Sequence, residues 1–106
     1  MIKSMNVTEL KNKLDSSENL VLVDCREQGE WDEGRIEGAI FIPLSEFAPK
    51  HGEFLKDKNK TVVLQCRSGK RSLSACQQLL AEGFEDLYNL EGGILDWEAN
   101  GYKVIK

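Results

Sequence analysis

The stretch Cys66-Arg67-Ser68-Gly69-Lys70-Arg71-Ser72 decides how this chain is read. It follows the β-branched run Thr61-Val62-Val63-Leu64 and precedes apolar residues at helical spacing, Leu73, Cys76, Leu79 and Leu80. That order predicts a strand, a loop and a helix, with Cys66 at the junction. At a helix start the backbone N–H groups lack intrahelical partners and the dipole is positive, so anions are favoured there. Arg67, Lys70 and Arg71 add three cations to a chain whose formal charge is -4. Thiolate is the expected form of Cys66. A thiol lowered from about 8.5 to roughly 6.5 would rise from ~3% to ~75% ionised at pH 7. Gly69 supplies the positive φ or close backbone approach by which N–H groups turn toward a sulfur. The expected object is a small cationic cradle with a nucleophilic sulfur at its base.

At 106 residues the chain fits one domain, 1–106, with a real core. Its 41% hydrophobic and 30% charged residues are those of an ordinary globular protein. No apolar run approaches membrane-spanning length, so no membrane partner is expected. Met1 to Asn6 lacks the apolar core of a secretory signal, which makes the cytoplasm the expected location. A sequence pI of about 5.0 argues against nucleic acid as a partner, because phosphate binding needs a broad basic face. Three cysteines and one histidine, His51, match no zinc pattern, so no metal is expected. A helix between Cys66 and Cys76 would hold them on the order of 15 Å apart, too far for a disulfide. Reduced thiols suit a cytosolic setting.

Elsewhere the chain alternates. Asn6-Val7-Thr8-Glu9 reads as a capped helix start carrying Val7, Leu10 and Leu14 on one face, after a small edge strand from Ile2 to Met5. Leu20-Val21-Leu22-Val23 reads as a strand buried on both faces, leading into Asp24-Cys25-Arg26-Glu27. Gly29 to Gly38 reads as a short helix and turn anchored inward by Trp31 and Ile36. Ile40-Phe41-Ile42 is a strand stopped by Pro43, and Ser45 caps a short helix carrying Phe47. A second helical segment surrounds Phe54-Leu55, before the charged loop Lys56 to Lys60. Gly83 closes the helix after the Cys66 loop. Asp86 to Leu90 is a strand, Gly92-Gly93 a sharp turn, and Ile94 to Asn100 a helix ended by Gly101. The alternation predicts an α/β fold with a central, mainly parallel five-stranded sheet flanked by helices on both faces. Ligands of such sheets bind beyond the carboxyl ends of the strands, where Cys66 lies.

These residues, in this order, resemble a known family: the chain is similar to a single-domain rhodanese, a thiosulfate sulfurtransferase. The resemblance is carried by Glu9-Leu10, Val23 to Glu27, Gly34-Arg35-Ile36-Glu37-Gly38-Ala39, the Cys66 loop, Leu90-Glu91-Gly92-Gly93 and Trp97. Cys25 stands where valine is usual and Arg35 where histidine is usual. In the family's sulfurtransferases, as here, four residues separate the cysteine from arginine, whereas phosphatases of the same fold have five. The resemblance implies a Cys66 persulfide as intermediate, loaded by a small anionic sulfur donor such as thiosulfate. It implies an acceptor that is cyanide or a thiol, such as thioredoxin or glutathione. The loop Arg67, Ser68, Gly69, Lys70, Arg71 and Ser72 would bind substrate, and no cofactor is required. A monomer is expected.

Blander readings stand beside these. An inert core cysteine is the alternative for Cys66, and a solvated loop that for Arg67, Lys70 and Arg71. A nucleotide-binding loop ending in Gly69-Lys70 would need glycine where Leu64 stands. Asp24 and Arg26 are expected to form a charged pair supporting the loop rather than an acid–base couple. Cys25 is a resolving thiol only if its strand lies beside that of Cys66. Cys76, Trp31 and Trp97 read as core and His51 as surface. Two other functions compete with sulfur transfer: a non-catalytic recognition module, and a phosphatase or arsenate reductase.

Overall fold

Strand β4 (Thr61–Gln65) is the centre of a five-stranded sheet ordered β1-β5-β4-β2-β3, and every strand pair is parallel. The computed structural model describes residues 1–106. The other strands are β1 (Ile2–Met5), β2 (Leu20–Asp24), β3 (Ile40–Phe41) and β5 (Asp86–Leu90). The helices are α1 (Val7–Asp15), α2 (Gln28–Glu33), α3 (Phe47–Phe54), α4 (Lys70–Ala81) and α5 (Gly93–Ala99), with a 3-10 turn at Leu44–Glu46 ahead of α3. No helix is long and apolar enough to cross a membrane.

The apolar strands bury both faces because neighbouring residues point to opposite sides. Val62 and Leu64 join Val23, Leu87, Phe47, Ala75, Cys76 and Leu79 under α3 and α4. Val63, one residue out of phase, joins Leu22, Val7, Leu10, Ile94 and Trp97 under α1 and α5. Local chemistry sets the helix ends. The Glu9 N–H donates to Asn6 Oδ1 at 2.8 Å and the Asn6 N–H to Glu9 Oε1 at 3.3 Å, a capping box. At the far end of α4, Gly83 N–H donates to Leu80 O and Phe84 N–H to Leu79 O, both at 3.1 Å, a Schellman closure.

Several side chains sit elsewhere than the sequence suggests. Leu73 and Leu80 are exposed, 40% and 39%, and the inward face of α4 is instead Ser72, Ala75, Cys76 and Leu79. The helix packs on a sheet through a narrow stripe, and these two leucines fall just outside it. Trp31 is half-buried rather than an inward anchor, stacking on Phe41 at 4.9 Å between ring centroids, with the Arg35 guanidinium over its ring at 4.8 Å. His51 is buried, against Phe47, and its Nε2 lies 2.8 Å from Glu82 Oε2. Ser45 caps no helix; its hydroxyl donates to Glu27 Oε1 at 2.7 Å. The two helical segments expected around Phe47 and Phe54 are one helix, α3.

Truncating a residue held on the true core stripe will cost far more than truncating one outside it. Leu64→Ala is expected to lower stability in urea by about 2–5 kcal/mol, and Leu80→Ala by no more than about 0.5 kcal/mol. Similar losses for the two would contradict this assignment of the core.

Candidate active site

The Cys66 loop leaves the carboxyl end of β4 and enters α4 at Lys70. Cys66 is 1% exposed. Its Sγ accepts a hydrogen bond from the Gly69 N–H at 3.1 Å and lies 3.4 Å from the Ser72 hydroxyl. Burial acts to raise the thiol's pKa, but bonds from the Ser72 hydroxyl and the N–H groups of Ser72, Gly69 and Ser68 outweigh it, so the thiol titrates below its ordinary value. The other thiols go the opposite way. Burial pushes Cys76 up to about 12 and Cys25 further still. Of three buried cysteines, only Cys66 has an environment that favours thiolate.

A loop whose N–H groups face inward must place its carbonyls outward, and buried carbonyls need partners. Here α5 supplies them. The N–H of Ile94 donates to Cys66 O at 3.0 Å and that of Leu95 to Arg67 O at 3.2 Å, while Gln65 Nε2 also donates to Cys66 O at 3.0 Å. Asn89, near the end of β5, gives its Nδ2 to Gly69 O at 3.0 Å. The approach of α5 depends on Gly93: a β-carbon there would sit 2.5 Å from the Cys66 carbonyl oxygen and closer still to that of Arg67. Its φ of +57° is also one that side chains resist. Gly69, at φ +108°, has room for a side chain, so its requirement is conformational.

The cations divide. Arg67 and Lys70 are exposed and form no ion pair. Arg71 turns away from open solvent into a two-pronged clasp with Glu30 of α2, Nη1–Oε1 2.6 Å and Nη2–Oε2 2.8 Å. That bond to Arg71 holds the Glu30 carboxyl down at about 2. Asp24 and Arg26 form the expected pair: Arg26 Nε donates to Asp24 Oδ1 at 3.0 Å and Nη2 to Oδ2 at 2.8 Å. Both are buried, and Nη2 reaches on to Gly34 O at 2.7 Å, which ties β2 to the end of α2. A cavity of about 270 Å³ opens beside the loop, lined by Arg26, Arg67, Ile94, Leu95 and the carboxylates of Glu30, Glu33 and Glu98. No cluster of three or more His, Cys, Asp or Glu side chains is placed to hold a metal.

Cys25 follows directly on β2, the strand beside β4, and packs in the same cluster as Cys66, so the strand adjacency required of a resolving thiol is met. Its thiol instead donates to Gln65 O at 3.3 Å and is wholly buried. Sequence reasoning missed Glu30, Gln65 and Asn89. A polar Asn89 inside the strand pattern Asp86-Leu87-Tyr88-Asn89-Leu90 was the one available signal.

This geometry has known counterparts. The chain matches the rhodanese-like domain family over residues 6–100 and belongs to that family. It is 33% identical to a sulfurtransferase of Allochromatium vinosum, over 99% of this chain and 96% of that one. The Bacillus subtilis protein YtwF is 41% identical, over 92% of this chain and 91% of its own length. Among solved structures, a rhodanese-like domain protein from Staphylococcus aureus superposes with a TM-score of 0.84 at 34% identity, covering 98% of this chain and 99% of that one.

The Glu30–Arg71 clasp carries a pH signature. Because the carboxyl lies below its ordinary 4.5, the clasp stabilises fully above that value and loses its effect as pH falls through about 2. Wild type is expected to exceed Glu30→Gln by about 1 kcal/mol at pH 7, given partial exposure. Urea unfolding should find that gap closing toward pH 2; a gap independent of pH would contradict the clasp.

Proposed function

We propose that this rhodanese-family protein is a sulfurtransferase that carries sulfane sulfur on Cys66. The Cys66 thiolate attacks the outer sulfur of thiosulfate, the S–S bond of the donor breaks, and sulfite leaves with the bonding pair. A Cys66 persulfide anion remains. A thiolate acceptor then attacks the outer sulfur of that persulfide, takes it as its own persulfide, and restores the Cys66 thiolate. Cyanide would leave as thiocyanate by the same step. The two half-reactions share one covalent intermediate, which implies ping-pong kinetics. A low-molecular-weight persulfide can replace thiosulfate as donor without changing the chemistry.

The observation that carries this reading is the ring of donors around one sulfur. The N–H of Gly69 at 3.1 Å and the hydroxyl of Ser72 at 3.4 Å approach Cys66 Sγ where negative charge resides before and after transfer. Exposed Arg67 and Lys70 at the rim suit an anionic donor. A phosphatase or arsenate reductase reading is weakened by Arg71. Its planar fork, the group suited to bidentate oxyanion recognition, is occupied by Glu30. A thiol held below its ordinary pKa by facing donors favours catalysis over a non-catalytic module.

Intact-mass measurement after incubation with thiosulfate and removal of excess reagent tests the reading. Wild type is expected to gain one sulfur atom, Cys66→Ser none, and a subsequent thiol should strip the added mass. An unmodified wild type would overturn the assignment and favour a binding module.

A further inference from the structure

Ser72, buried on the inner face of α4, and Asn89, near the end of β5, meet beside the Cys66 sulfur. The Ser72 hydroxyl has one proton and two acceptors within reach: Asn89 Oδ1 at 2.5 Å and Cys66 Sγ at 3.4 Å. The Asn89 amide cannot trade its ends, because its Nδ2 is committed to Gly69 O. Its Oδ1 therefore presents to Ser72 as an acceptor and nothing else. While Cys66 is protonated the three groups form a chain, S–H to Ser72 Oγ and Ser72 O–H to Asn89 Oδ1. Once Cys66 ionises, both ends of that chain want the same proton.

We propose that Asn89 is a positioning residue that competes with Cys66 Sγ for the single hydroxyl proton of Ser72 and thereby sets how basic, and how nucleophilic, the thiolate is. The proposal rests on Cys66 acting as the nucleophile. Among the hydrogen bonds that favour thiolate, that of the Ser72 hydroxyl is the largest, so the position of its proton has leverage. A thiolate left more basic by a withheld proton attacks faster per ionised molecule. Asn89 would trade a smaller thiolate fraction for a more reactive one, and the N–H groups of Ser68, Gly69 and Ser72 would still hold the charge. The other charged or titratable groups around Cys66 are Cys25 beyond β2, the Asp24–Arg26 pair, Arg67 and Lys70 of the loop, and Arg71 backed by Glu30. None is altered by changing Ser72 or Asn89.

The test is the pH profile of Cys66 alkylation by iodoacetamide in wild type, Asn89→Ala, Ser72→Ala and the double variant, with Cys66→Ser as the blank. Asn89→Ala frees the Ser72 proton for the sulfur, so its midpoint is expected to fall by about half to one pH unit, a roughly two- to fourfold faster reaction below the midpoint once the weaker nucleophilicity of the less basic thiolate is counted. In the Ser72→Ala background the same substitution should produce no fall. A role confined to anchoring Gly69 predicts the reverse sign, since a loosened cradle raises the midpoint. A midpoint unchanged, raised, or shifted alike in both backgrounds overturns the proposal. Should Asn89→Ala fail to fold, the wild type serves. Its Asn89 side-chain carbonyl carbon resonance should titrate with the alkylation midpoint, and a resonance constant through that midpoint would overturn the proposal equally. Alkylation needs no sulfur donor, so a protein that takes up no sulfur yet shows the coupling would defeat the functional reading and leave this one intact.

Discussion

Two backbone hydrogen bonds, Ile94 N–H to Cys66 O and Leu95 N–H to Arg67 O, hold the site in its working shape. A short loop has one set of peptide units, and these can aim either their N–H groups or their carbonyls at an enclosed sulfur. Aiming carbonyls inward would surround a thiolate with negative ends of dipoles. The first amides of α5 draw the carbonyls of Cys66 and Arg67 outward, Asn89 does the same for Gly69, and the amides of Ser68, Gly69 and Ser72 are left for the sulfur. The bare α-carbon of Gly93 is the condition for the contact, because any side chain would overlap the two carbonyls.

Dipoles rather than formal charges do most to favour the Cys66 thiolate. The loop carries three cations in sequence, yet the groups that lower the thiol most are a hydroxyl and backbone amides. Arg71 is drawn into its clasp with Glu30, while Arg67 and Lys70 reach solvent. Fixed dipoles within hydrogen-bond distance act where water is excluded and need no reorganisation, whereas an exposed cation is screened. The rim charges fit the task of attracting an anion; the amides fit the task of holding one.

Much of this was legible in the sequence, for identifiable reasons. Strands β2 and β4 announce themselves because burial on both faces requires unbroken apolar runs, and Asn6, Gly83 and Gly101 mark helix ends through bonds made within a few residues. The place of Cys66 followed from a strand pattern meeting a helix pattern. What stayed hidden depends on partners distant in sequence. Glu30 meets Arg71 across 41 residues and Asn89 meets Ser72 across 17; the polar Asn89 in an apolar strand was the one local sign, and it did not point to its partner. Leu73 and Leu80 fit helical spacing as well as Ala75 and Cys76 do, and only the sheet's position decides which pair is covered. Gly92-Gly93 was readable as a turn, but its use in bringing α5 onto the loop carbonyls was not.

The most direct test follows the backbone amides through ionisation of Cys66 by NMR. The amide protons of Ser68, Gly69 and Ser72 are expected to move downfield together with one midpoint below that of a free thiol, while Ile94 keeps its hydrogen-bonded shift. Loop amides that stay still as the sulfur titrates, with the response confined to the Arg67 and Lys70 side chains, would contradict the account.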